Sequence, residues 1–71
     1  MAAITYDDLD PQDNDSVLTL KIKEILSIQA SSAAILGQAG TVEAPQDTDS
    51  WAQLEAKYLA SIREMQAALS A

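Results

Sequence analysis

Residues 17–36, VLTLKIKEILSIQASSAAIL, carry apolar side chains around more of a helix than one neighbour can cover. At about 100° per residue, Val17, Leu18, Ile22, Ile25, Leu26, Ile28, Ala33, Ile35 and Leu36 fall within roughly half of the circumference. Lys23, Glu24, Ser27, Ser31 and Gln38 fall on the other half, and Leu20 is a large apolar residue stranded among them. A strand would place Leu18, Leu20 and Ile22 on one face and Thr19, Lys21 and Lys23 on the other. That alternation ends at EILSI, so it explains six residues where the helix explains the whole run. A helix is predicted. A single packed helix covers an arc of only about 100–120°, which leaves apolar surface over.

Two starts compete for this helix. Asp10, Pro11 and Asp13 suit a first turn, whereas Asp15 or Ser16 would cap a later one. The later start is preferred, because the earlier one puts Asn14 and Asp15 on the apolar side. Gly37 or Gly40 marks the end, either being able to take the left-handed cap conformation. The stretch GTVEAPQDTD is long for a connection between packed helices and contains Pro45, which cannot continue a helix. It is expected to be either mobile or part of a contact surface.

A second helix follows. Ser50 and Gln53 match the capping box, and Asp47 and Asp49 lie before the positive end of the helix dipole. Trp51, Leu54, Tyr58, Ile62, Met65 and Leu69 form one stripe, flanked by Ala52, Ala56, Ala60 and Leu59. Glu55 meets Leu59 and Glu64 meets Ala68 at i+4, so pairs within the helix add little. No internal repeat is read along the chain, and the stripe is too short for a coiled coil. The predicted fold is all-α: a two-helix antiparallel hairpin of residues 16–37 and 50–69 with a long interhelix loop. An extended acidic arm, 1–15, precedes a single small domain, 16–71, completed by oligomerisation or docking.

Composition limits the chemistry. A chain of 71 residues without Cys has neither disulfides nor thiolate metal sites, and without His it lacks the commonest metal ligand and general base. Phe is also absent, so stability rests on aliphatic packing. Eleven acidic residues against four basic ones give a net charge of −7, which repels nucleic acid and anionic membranes. No apolar run is long enough to span a bilayer, and the N-terminus lacks the basic and apolar regions of a signal peptide. A soluble protein is expected, cytoplasmic or part of a virion.

The candidate motifs are weak. Read as a calcium loop from Asp13, the chain offers Asp13, Asp15 and Glu24. Val17 and Leu18 then fall where a ligand and the sharp-turn glycine are required. Asp7 and Asp8 lie in a polar segment without a pocket to separate their pKa values. GQAG, residues 37–40, lacks the Gly-Lys-Ser/Thr ending of a phosphate loop. No Ser-x-x-Lys spacing has a scaffold to support it. No catalytic residue, metal ligand or cofactor site is predicted, and the chain is not expected to be an enzyme.

The surplus apolar surface points to a structural or interaction subunit, with a bacteriophage virion component (capsid, head–tail junction or tail) as the first specific expectation. Its partner is a protein or another copy of the chain, with no direct nucleic-acid or membrane contact. The candidate interface comprises Leu20, Ile22, Ile25, Leu26, Ile28, Ile35, Trp51, Leu54, Tyr58, Ile62 and Met65. Trp51 could instead close the end of the hairpin core. The rival expectation is a small acidic regulator or inhibitor, such as an antitoxin or a DNA-mimicking antirestriction or anti-CRISPR protein.

Overall fold

The computed structural model describes residues 8–70 and contains two helices, α1 (Val17–Leu36) and α2 (Trp51–Ser70). Residues 17–23 are helical, and there is no strand among the described residues. The expected arm falls partly on residues 1–7, which lie outside the described ones.

Local chemistry sets the helix ends. Ser16 is the N-cap of α1, in extended conformation, and its Oγ accepts from the Thr19 N–H at 3.1 Å. Gly37 ends the helix with φ +75°, its N–H donating to the Ala33 carbonyl at 2.8 Å. Only glycine takes that backbone conformation without a steric penalty. At α2 the capping box is complete: the Gln53 N–H donates to Ser50 Oγ, and the Ser50 N–H donates to Gln53 Oε1. The cap of α1 and the box of α2 satisfy donors that a helix start leaves without partners.

The two helices pack on each other, but not in the expected antiparallel sense. Lys21 Nζ bonds Glu55 at 3.2 Å and, two turns on, Gln29 Nε2 bonds Ser61 Oγ at 3.2 Å. Both partners advance together along the chain, so α1 and α2 run side by side in the same direction. The connecting segment runs back between them. Thr41 bonds Glu64, Glu43 meets Gln29, and Ala44 meets Lys57. A 20-residue helix is about 30 Å long, and a return over that length needs roughly nine or ten extended residues. The 14 residues between Leu36 and Trp51 suffice. The loop that is too long for an antiparallel turn is the length a parallel return demands.

The expectation of no internal repeat is also corrected. Pro11-Gln12-Asp13-Asn14-Asp15-Ser16 recurs 34 residues later as Pro45-Gln46-Asp47-Thr48-Asp49-Ser50. The same shift carries Leu20 to Leu54, Lys23 to Lys57, Ser27 to Ser61, Ile28 to Ile62, and Ala33-Ala34 to Ala67-Ala68. It also carries both ends of α1 onto those of α2. The match hides in the helix bodies, where Lys21 faces Glu55, Ile22 faces Ala56 and Glu24 faces Tyr58 in the alignment. The chain is two copies of one unit, a proline-started turn followed by a capped helix.

The core is small. Ile22, Ile25 and Leu54 are fully enclosed, with Leu18, Leu26 and Tyr58 packed around them. Pro45 from the return segment is also enclosed. Ser32 and Ser61 are buried as well; Ser32 donates to the Ile28 carbonyl and Ser61 accepts from Gln29, so neither hydroxyl lacks a partner.

Candidate interaction surface

Each repeat carries the same polar clamp at its helix start. In the first, Asp15 Oδ2 accepts from the Gln12 N–H at 2.9 Å, and the Asp15 N–H returns a bond to the Gln12 carbonyl. Lys23, about two turns into α1, reaches back with Nζ 2.7 Å from Asp15 Oδ2 and 3.1 Å from the Asp10 carbonyl. In the second, Asp49 closes the turn onto Gln46, while Lys57 lies 2.6 Å from Asp49 Oδ2 and 3.0 Å from the Ala44 carbonyl. Lys23 is only 6% exposed, its ammonium covered by the turn it holds.

Hydrogen bonding to Lys23 first, and to the Gln12 backbone second, keeps the Asp15 carboxyl below the ordinary carboxylate range. Lys57 and the Gln46 backbone do the same for Asp49. Two of the eleven carboxylates, Asp15 and Asp49, are therefore tied into the chain's own helix starts.

Three further links join the helices and the return segment. Lys21 sits between Glu55 and Glu24 and lies 4.5 Å above the centroid of the Tyr58 ring. Burial pushes the Lys21 ammonium down, but the bond and charge of Glu55, with Glu24, outweigh it and leave the group raised. Gln29 Nε2 donates to both the Glu43 carbonyl and Ser61 Oγ, stitching loop to α1 and α1 to α2. Glu64 Oε2 accepts from the N–H and hydroxyl of Thr41. The connection is thus pinned against both helices.

The predicted interface residues separate into three groups. Ile22, Ile25 and Leu54 are buried in the chain's own core, with the partly buried Leu26 and Tyr58 packed against it. Ile28, Ile62 and Met65 are half-buried. Leu20, Ile35 and Trp51 are exposed, which leaves Trp51 outside the core it could have closed. Val17, Leu36, Leu59 and Leu69 are also exposed and were not among the predicted interface residues. The signal that could have found Leu59 is its repeat position, equivalent to Ile25.

The repeat sorts these exposed side chains. Val17 and Trp51 are equivalent and both exposed, as are Ile35 and Leu69. These pairs sit at the helix ends in both units. Two other pairs differ between units: Leu20 is 38% exposed where Leu54 is fully buried, and Leu59 is 45% exposed where Ile25 is fully buried. Their difference lies in what each helix has beside it.

The faces follow the same logic. On α1 the side against α2 holds Ile22, Ile25, Gln29 and Ser32; on α2 the side against α1 holds Leu54, Ser61 and Ala68. At 3.6 residues per turn these two sets of repeat positions lie about 180° apart on a helix. The counterpart positions, which face no helix among the described residues, are Leu20, Ser27 and Ala34 on α1, and Ala56, Leu59, Arg63 and Gln66 on α2. They point away from each other, on opposite sides of the pair.

Among the described residues, no group of three or more acidic side chains is placed to hold a metal ion. No described helix is long and apolar enough to cross a membrane. Comparison of the chain with protein-family models, curated proteins and solved structures gives no match.

Proposed function

We propose that this chain is a non-catalytic, adhesive subunit of a larger protein assembly. The observation that carries the reading is the balance of apolar side chains. Among the described residues three large hydrophobic side chains, Ile22, Ile25 and Leu54, are enclosed, while Val17, Leu20, Ile35, Leu36, Trp51, Leu59 and Leu69 stand exposed. Apolar surface left exposed in patches marks protein contact sites, and oligomerisation is one of the ways a core this small is supplemented. A virion accessory component is the setting that the small size and the lack of Cys and His suit.

The rival reading, an acidic regulator or nucleic-acid mimic, needs carboxylates free on rigid elements. Asp15, Asp49 and Glu55 are instead engaged with Lys23, Lys57 and Lys21. Salt dependence separates the two. An assembly held by apolar burial keeps its mass at high ionic strength, whereas a mimic's grip weakens steeply. Sedimentation of the chain, together with proteins co-purified from its source, is expected to give a complex that survives molar salt. A folded, solitary monomer at every concentration that binds no hydrophobic dye would overturn the proposal.

A further inference from the structure

From the repeat we infer that the partner of the two unpaired faces is a second copy of this chain, added head to tail so that α2 of one copy packs on α1 of the next. The inference rests on the adhesive reading above and names its partner. The contact between α1 and α2 is heterologous: one side of the unit meets the opposite side of its repeat. A two-unit array of this kind always ends with one unused surface of each type. Those surfaces are Leu20, Ser27 and Ala34 at one end and Ala56, Leu59, Arg63 and Gln66 at the other. Continuing the array applies the chain's internal interface a second time, between molecules.

The residue types fit that register. Within the chain, Leu54 packs in the cluster that contains Ile22 and Ile25. Between copies, Leu20 takes the place of Leu54, and Ala56 and Leu59 take those of Ile22 and Ile25. Gln29 donates to Ser61 inside the chain; Arg63 occupies the Gln29 position and Ser27 the Ser61 position, so a donor again faces a hydroxyl. Lys21 and Glu55 exchange places, which keeps one charge of each sign at that level. A head-to-tail contact does not close on itself in a dimer, so growth proceeds to a ring or a filament.

Complementation of two surface variants tests this. Leu20→Asp spoils one surface and leaves the other intact; Leu59→Asp does the reverse. Both positions are exposed, and circular dichroism checks that each variant keeps its helix content. Sedimentation equilibrium is expected to show wild-type mass rising with concentration beyond a dimer. Each variant alone stays at the 7.6 kDa monomer, and an equimolar mixture gives a one-to-one dimer that grows no further. A mixture that remains monomeric while wild type associates would overturn the head-to-tail contact and leave the adhesive reading standing. The same holds if either variant alone still associates like wild type. A wild-type chain that is monomeric throughout also overturns the inference, and the adhesive reading falls with it only if dye binding is absent too.

Discussion

Leu20 and Leu54 hold the same position in the two repeats, yet Leu54 is sealed beneath α1 and Leu20 faces solvent. The identical residue therefore contributes differently to stability according to what lies beside it. Leu54→Ala removes a fully enclosed side chain and is expected to cost about 2–5 kcal/mol. Leu20→Ala is expected to change the isolated chain by less than about 0.5 kcal/mol. Urea unfolding at low protein concentration measures both; equal losses would contradict the packing described.

Acid should loosen both helix starts together. The carboxyls of Asp15 and Asp49 are held below their ordinary value of 3.8 in the folded chain. A lowered folded pKa contributes stability that is present above 3.8 and lost as pH falls through the folded values. Lys21 is raised above 10.5, so its contribution is present below that pH and lost as pH rises through the folded value. The contribution of these three groups to the melting temperature should be constant between these limits and be lost on both sides. Asp15→Asn combined with Asp49→Asn should remove most of the acid limb while lowering the neutral plateau.

The two serine caps make separable contributions. Ser16→Ala and Ser50→Ala are each expected to destabilise by about 1 kcal/mol. Hydrogen exchange should show the loss first at the amides each hydroxyl receives, Thr19 in one case and Gln53 in the other.

The two glycines should respond to substitution for different reasons. Gly37→Ala meets no neighbouring atom but forces a side chain into a left-handed backbone, at about 1–2 kcal/mol. At Gly40 a Cβ would run into the Glu64 carboxylate, which holds Thr41. Gly40→Ala should displace that flexible side chain and free the start of the return segment, seen as faster exchange of the Thr41 amide. Its stability cost should be about 1 kcal/mol, and Glu64→Gln should reproduce part of it.

Much of this architecture is written locally. Ser16 and Gly37 bracket α1, Ser50 and Gln53 start α2, and the apolar spacing of residues 17–36 requires a helix with surface to spare. These features depend on backbone donors and side chains within one turn, so the sequence by itself determines them. The excess of apolar residues is equally local, because it follows from periodicity alone.

Direction and partnership were decided only by the fold. Whether α2 turns back on α1 or runs beside it depends on where fourteen linking residues can be anchored, and that is set by Gln29, Lys57 and Glu64, far apart in sequence. The motif PQDxDS with its later lysine stands twice in the sequence, but its meaning as a repeated clamp needs Lys23 and Lys57 folded back over their own turns. Ile25 and Leu59 are interchangeable on a helical wheel. Only the packing of one helix on the other makes the first a core residue and leaves the second at the surface, because burial belongs to pairs of faces and not to single ones.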